Sequence, residues 1–310
     1  MATVTINDTH LKNIASAIRS KNGTTDTYKP SQMASAIENI ESGSGGGTTG
    51  KYAPRYISFR GYTGTELDYE IANLDTSNIT STYYMFAETS NLTTSLELSN
   101  WNTNKVTDMS YTFYNCKIPS INVSDWDTSN VTNMKYMFRG TTNLDDCALI
   151  LNNWNTSNVK DMSYMFYDCE AKEINIKDWD TSNVTTMANM FENNDGVTSY
   201  DLSGWVGGNV TSMYKMFVSN SKLTRVDLRN FKIKSTTNIK ALFNYCSKLQ
   251  YIDIRSMDFT GMTSSYYDSL VFGGVPTNCL IIVKDDTAKE FVLARRSALT
   301  NVKTVAEYEA

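Results

Sequence analysis

The chain has 310 residues, 41% of them hydrophobic and 20% charged, with 28 Lys and Arg against 33 Asp and Glu and a formal net charge of −5. That is the composition of a folding, soluble chain, and its acidic balance argues against nucleic-acid binding, which needs clustered Lys and Arg to neutralise phosphate. One histidine, His10, and five cysteines without a C-x-x-C pair leave little for imidazole catalysis, zinc knuckles or redox pairs, so a non-enzymatic protein without cofactor or metal is expected.

The first residues, Met-Ala-Thr-Val-Thr-Ile-Asn-Asp, lack the basic segment and apolar run of about 7–15 residues of a secretory signal. No stretch approaches the ~18 apolar residues of a membrane span, so synthesis and folding in a cytoplasm are expected, without membrane insertion. Residues 1–41 read as a helical hairpin. After the caps Asn7 and Asp8, Leu11, Ile14, Ala15 and Ile18 recur at helical spacing and stop at Asn22-Gly23; Pro30 then opens a second helix carrying Met33, Ala36, Ile37 and Ile40. About 41 residues cannot bury an independent core. A docking module is therefore expected, using Leu11, Ile14, Ile18, Met33, Ile37 and Ile40 against another protein. Residues 42–50, Ser-Gly-Ser-Gly-Gly-Gly-Thr-Thr-Gly, form a flexible linker reaching roughly 15–18 Å as a coil.

Residues 51–72 supply an opening cap, with Tyr56–Phe59 and then Tyr69 and Ile71 in strand register. A repeat follows. Trp126-Asp-Thr-Ser-Asn-Val-Thr-Asn-Met-Lys-Tyr-Met-Phe138 has near copies from Trp101, Trp154, Trp179 and Trp205 and weaker ones from Leu74, Phe231 and Met257. The anchors are 25 to 28 residues apart, inside the ~20–29 residue period of leucine-rich-repeat solenoids. Before each anchor lie apolar residues two apart, such as Leu96/Leu98, Ile174/Ile176 and Ile252/Ile254, the pattern of a short strand with one buried face. After it, Asp127-Thr-Ser-Asn130 offers helix-capping side chains, and Val131, Met134, Met137 and Phe138 follow at i, i+3, i+6 and i+7. One strand plus one short helix per coil of about 26 residues is thus predicted. Such units bury their apolar faces only by stacking. The Met and Phe columns are then core, the tryptophans an internal ladder, and Cys116, Cys169 and Cys246 one column of free buried thiols.

At the far end Leu280–Val283 reads as the last strand and Thr287–Arg296 as a polar helix covering the open edge. The expected organisation is therefore a docking module at 1–41, a linker at 42–50, a solenoid with its opening cap at 51–283 and a helical cap at 284–310.

Two surface columns are chemically uniform. Between the buried strand residues lie Glu70, Glu97, Asn122, Ile150, Asn175, Asp201, Asp227 and Asp253, expected to be exposed. They form either a solvated sheet face or a strip for a cationic or polyhydroxyl ligand, calcium among the candidates. Tyr84, Tyr111, Tyr136 and Tyr164 precede the repeat Phe by two residues, about 160° from the Met/Phe face on a helix. They suit sugar stacking or protein contact, or else cover the helix layer. No Gly-rich loop has phosphate-binding context, and no carboxylate pair stands out from its column as a glycosidase pair would.

The W-D-T-S-N-V-T-x-M-x-x-M-F unit, followed by Phe-Tyr-Asn-Cys or Phe-Tyr-Asp-Cys, resembles the BspA-type leucine-rich repeat of mycoplasma and Firmicutes surface proteins over about residues 56–283. Residues 14–37 resemble the leading segment of tail-associated structural proteins of phages that infect Gram-positive bacteria. Together the resemblances imply a virion adhesin, assembled in the host cytoplasm. Its hairpin would mount on other virion or tail proteins and its solenoid would read a host-surface glycan or protein, with no catalytic residues. A trimer is expected by analogy alone. A virion decoration or assembly protein and a bacterial BspA-type adhesin are the alternatives.

Overall fold

A computed structural model describes residues 58–62, 74–90, 92–93, 95–142, 148–151, 153–262 and 270–310. The predicted helical hairpin, with its candidate docking residues Leu11, Ile14, Ile18, Met33, Ile37 and Ile40, lies outside them, as do the linker, Glu70 and Cys147.

The repeats form a parallel β-solenoid of about seven turns. Its strands are β1 (Leu96–Glu97), β2 (Ile121–Asn122), β3 (Ala148–Ile150), β4 (Glu173–Asn175), β5 (Ser199–Asp201), β6 (Arg225–Asp227), β7 (Tyr251–Asp253), β8 (Leu280–Val283) and β9 (Val302–Thr304). Pairing is parallel between sequence neighbours, in the order β1-β2, β3-β4 and β5-β6-β7-β8-β9. Register follows the repeat: Tyr200 pairs Val226, Val226 pairs Ile252 and Ile252 pairs Ile281, so identical repeat positions stand one above another.

The predicted helix of each coil is not there. Among the described residues this segment is a run of turns whose backbone donors alternate. The N–H groups of Thr82, Tyr84, Phe86 and Glu88 donate to the carbonyls of Asp108, Ser110, Thr112 and Tyr114 one coil on. Those of Met85, Ala87 and Thr89 close turns onto Thr82, Tyr84 and Phe86. An α-helix satisfies its donors internally, whereas this segment gives every second one to the next coil. Alternation requires left-handed residues, and two recur in each coil: Tyr84 and Glu88, Tyr111 and Asn115, Tyr136 and Gly140, Tyr164 and Asp168, Asn189 and Asn193. Gly, Asn and Asp adopt that region most readily. Their recurrence was the sequence signal for turns, and the i, i+3, i+6, i+7 apolar spacing masked it.

The Asp-Thr-Ser-Asn segment is a coil-to-coil clamp where a helix cap was expected. Asp127 Oδ1 accepts from Ser129 N at 2.9 Å, closing a local turn. Thr128 Oγ1, buried, donates forward to Asn155 O at 3.0 Å, and Asn130 Nδ2 donates back to Asn104 O at 2.8 Å. A second parallel ladder of single bridges joins Ser81, Asp108, Asn133, Asp161, Thr186, Ser212 and Asn238.

The core lies inside the coils. Trp101, Trp126, Trp154, Trp179 and Trp205 form the expected ladder with centroids 6.2, 6.4, 6.2 and 6.3 Å apart. From Trp126 onward each indole N–H donates to the carbonyl of the residue just past the preceding coil's strand, as Trp179 Nε1 does to Leu151 O at 2.9 Å. The repeat Phe residues stack alongside, from Phe86 through Phe113, Phe138, Phe166, Phe191, Phe217 and Phe243 to Phe272. Cys116, Cys169, Cys246 and Cys279 are free and buried. The cysteine column has a role beyond filling space. The Cys116 and Cys246 thiols and the Thr141 and Asn220 side chains all donate to the Phe carbonyl one coil back, and so substitute for one another.

Past β8, helix α1 (Asp286–Arg295) is capped by Asp285, whose Oδ1 accepts from Ala288 N at 3.0 Å. It buries Ala288, Phe291 and Val292, with Phe291 stacked on Phe259 at 4.3 Å. Leu280–Val283 is not the last strand: β9 adds to its edge, with Val302 against Ile281 and Thr304 against Val283. Three residues are too few to show an alternation in sequence. Helix α2 (Val305–Glu309) follows, started by a capping box between Thr304 and Glu307.

Candidate functional site

On the turn face, Tyr84, Tyr111, Tyr136 and Tyr164 occupy one column at φ 53°, 58°, 59° and 58°. Each sits third in its four-residue turn, where a positive φ is needed. Placing a bulky residue there costs about 1–2 kcal/mol. The compensation is local, because each ring stacks on the next at 4.4, 4.6 and 4.5 Å with 11–18° between planes, worth about 0.5–1.5 kcal/mol per pair. In later coils Asn189, Lys215 and Ala241 take the position and the ring stack ends.

Stacking decides what this column can touch. Faces used by neighbouring tyrosines are closed to sugar rings. What remains is a row of ring edges and phenol hydroxyls. The four residues are half-buried; among the described residues none of their hydroxyls has a hydrogen bond to protein, and none is buried without a partner. Burial pushes the Tyr111 hydroxyl up to about 12 and raises Tyr84 and Tyr136, so these three are neutral near pH 7 and can donate.

A second column, three residues further along the coil, holds Tyr114, Arg139 and Tyr167. The Arg139 guanidinium lies between the two rings, 5.2 and 4.8 Å from their centroids and 5.6 Å from that of Tyr136. Its Nη1 donates to Tyr114 Oη at 2.6 Å. Lys135 Nζ stands 5.2 Å from the Tyr136 centroid. At the column's start Arg60 covers the Tyr84 ring at 4.6 Å and pairs with Glu88 at 3.1 Å. Tyr114, Arg139 and Tyr167 were missed in sequence, although each follows the repeat Phe by one residue and the alignment of repeats places them together.

The strand face carries a different chemistry from the expected exposed acidic strip. Glu97 and Asn175 are exposed; Glu97 Oε2 accepts from Asn122 Nδ2 at 2.9 Å, and Asp201 pairs with Lys177 at 3.0 Å. Asp227 and Asp253 are buried, at 3% and 0% exposure. Arg225 and Arg229 both bind Asp227, and Arg255 grips Asp253 through Nε and Nη2 at 3.0 and 2.8 Å. Tyr251 Oη also donates to Asp253, at 3.0 Å. The reason was legible: Arg229 and Arg255 each follow their Asp by two, in the turn that ends the strand, where backbone N–H and side-chain Nε both reach back to the carboxylate. Burial pushes the Asp227 carboxyl up, but the bonds and charge of Arg229 and the charge of Arg225 outweigh it and hold the group low. Asp201, bonded by Ser203 and Lys177 against a burial cost, falls to about 2. No group of three or more His, Cys, Asp or Glu side chains is arranged to hold a metal ion among the described residues. The side chain of Ile150 is not described.

Residues 57–168 and 145–257 match a family described as Mycoplasma protein of unknown function, DUF285. No curated protein and no solved structure matches the chain. The match and the repeat architecture together fit a BspA-type repeat protein. With well over half of its length covered by the match, and with coils that follow the same repeat, the chain belongs to the DUF285 family.

Proposed function

We propose that this protein is an adhesin that binds a host cell-surface glycan or protein through the turn face of its solenoid, without catalysing a reaction. The observation that carries this reading is the tyrosine column. The fold needs a residue of positive φ there, and Asn, Lys or Ala suffices in later coils, yet four consecutive coils carry Tyr whose hydroxyls have no protein partner among the described residues. Rigid amphipathic rings held by their neighbours lose little entropy on binding.

The resemblance of residues 14–37 to phage tail-associated proteins supports a more specific reading. The protein would be mounted on a virion by its first module, through Leu11, Ile14, Ile18, Met33, Ile37 and Ile40, with the Gly/Ser linker letting several solenoids engage one surface at once. On the strand face Asp227 and Asp253 are already taken by arginines, which makes that face the weaker candidate for contact.

The test is adsorption of the labelled full-length protein to a panel of Gram-positive cells, comparing wild type with Tyr111→Ser/Tyr136→Ser. Strain-selective adsorption that the double variant loses while keeping its circular dichroism spectrum supports the reading. Equal adsorption by the variant removes the tyrosine column as the contact.

A further inference from the structure

From the chemistry of the tyrosine column and its flanking cations, we infer that the turn face binds an anionic polysaccharide, one whose sugars carry phosphate or carboxylate groups, with the acidic group seated at Lys135 and Arg139. This inference rests on the receptor-binding reading above and names the ligand class for the same surface.

Ring geometry is the first support. A neutral glycan is usually gripped by laying a sugar on an exposed aromatic face, but the faces between Tyr84 and Tyr164 are spent on one another at 4.4 to 4.6 Å. The outer face of Tyr84 is covered by Arg60. From Tyr84 to Tyr136 a ligand therefore meets hydroxyls, one per coil, at a spacing set by the solenoid. Neutral phenols, a guanidinium and an ammonium all offer N–H or O–H donors, and the complement to a row of donors is a chain of oxygen acceptors.

Uncompensated charge is the second. Arg60 is paired with Glu88, but neither Lys135 nor Arg139 has a carboxylate within ion-pair distance among the described residues. Asp108 and Asp161, on neighbouring coils, are turned into their own turns, accepting from Ser110 N at 2.9 Å and Ser163 N at 2.8 Å. Arg139 is also held in place: three rings and the Tyr114 hydroxyl fix its guanidinium before any ligand arrives. A preorganised cation loses little freedom on pairing with an oxyanion. Cations without a carboxylate partner flank the column at the Tyr136 coil, while Arg60 at the Tyr84 coil is paired with Glu88, so the surface fits a glycan with an acidic group between hydroxyl-rich units better than a uniformly charged rod.

The experiment uses the full-length protein and three immobilised polymers on one backbone: dextran, carboxymethyl-dextran and phosphorylated dextran. Binding to at least one charged polymer about tenfold tighter than to dextran, weakening with salt, is expected, and the two charged arms separate carboxylate from phosphate. Lys135→Gln/Arg139→Gln should abolish that preference, and Arg139→Lys, which keeps the charge but not the guanidinium held between the rings, should retain only part of it. Lys222→Gln/Lys248→Gln, which removes exposed charge elsewhere, should leave it intact. Equal binding of neutral and charged polymers, binding to none, or an equal loss in the Lys222/Lys248 variant overturns the inference. Cell adsorption keeps the two readings apart. A protein that adsorbs selectively to cells but ignores charge on dextran retains the receptor reading and loses the ligand class. One that discriminates the dextrans through Lys135 and Arg139 yet adsorbs to no cell loses the receptor reading alone.

Discussion

Tyr111 and Tyr136 stand one coil apart at φ 58° and 59° with ring centroids 4.6 Å apart and 18° between their planes. Backbone cost and side-chain gain thus fall on the same residues, and the column's stability depends on neighbours more than on any single position. Tyr136→Val combines a β-branched side chain at positive φ with the loss of two stacks, and should lower stability by about 2–3 kcal/mol. Tyr136→Asn, the residue type found at Asn189 in this column, should cost about half as much. Urea titrations of the two variants measure the difference.

Trp179 is sandwiched between Trp154 and Trp205 and donates to Leu151 O at 2.9 Å. Trp179→Ala should cost about 3–5 kcal/mol, by loss of buried area and an unfilled cavity. Trp179→Phe retains much of the packing but leaves the Leu151 carbonyl without its indole donor, and should cost about 1–3 kcal/mol. Thermal melts followed by circular dichroism rank wild type and the two variants; a Trp179→Phe melting temperature equal to that of wild type would show that the indole bond contributes nothing.

Asp227, held by Arg225 and Arg229, and Asp201, held by Lys177, both have folded-state values below the usual aspartate range. A depressed carboxyl stabilises the fold above its unfolded value of about 4, and that stabilisation is lost as pH falls through the folded value. Denaturation midpoints should therefore be flat above pH about 5 and decline between there and about 2, the Asp201 value. Asp227→Asn should flatten part of that decline and lower stability at pH 7, because two guanidiniums lose their shared carboxylate. A pH series of urea midpoints for both proteins is the check.

Burial pushes the thiols of Cys116, Cys169, Cys246 and Cys279 up to about 12. They should resist iodoacetamide at pH 8 in the folded protein and react fully in denaturant, as peptide mapping by mass spectrometry would show. Because Cys246 Sγ donates to Phe217 O, Cys246→Thr should be nearly neutral and Cys246→Val should cost about 1 kcal/mol.

The stacking of the coils was legible in the repeat alone. A period near 26 residues places equivalent side chains in columns, and stacked columns of Trp, Phe and Met must form the interior because one unit cannot bury its own apolar face. The alternating apolar pairs located the strands, down to Tyr251–Asp253. What lay between strand and strand was decided by tertiary structure: Met134, Met137 and Phe138 fit one face of a helix and one face of a turn run equally well, and only the next coil, by claiming alternate N–H groups, selects the turns. Side-chain partnerships were decided in the same way. The exposure of Asp227 and Asp253 depended on arginines folding back along the strand, and the tyrosine column offers hydroxyls in place of ring faces because successive rings come within stacking distance. Columns are fixed by period, whereas contacts between columns depend on three-dimensional spacing.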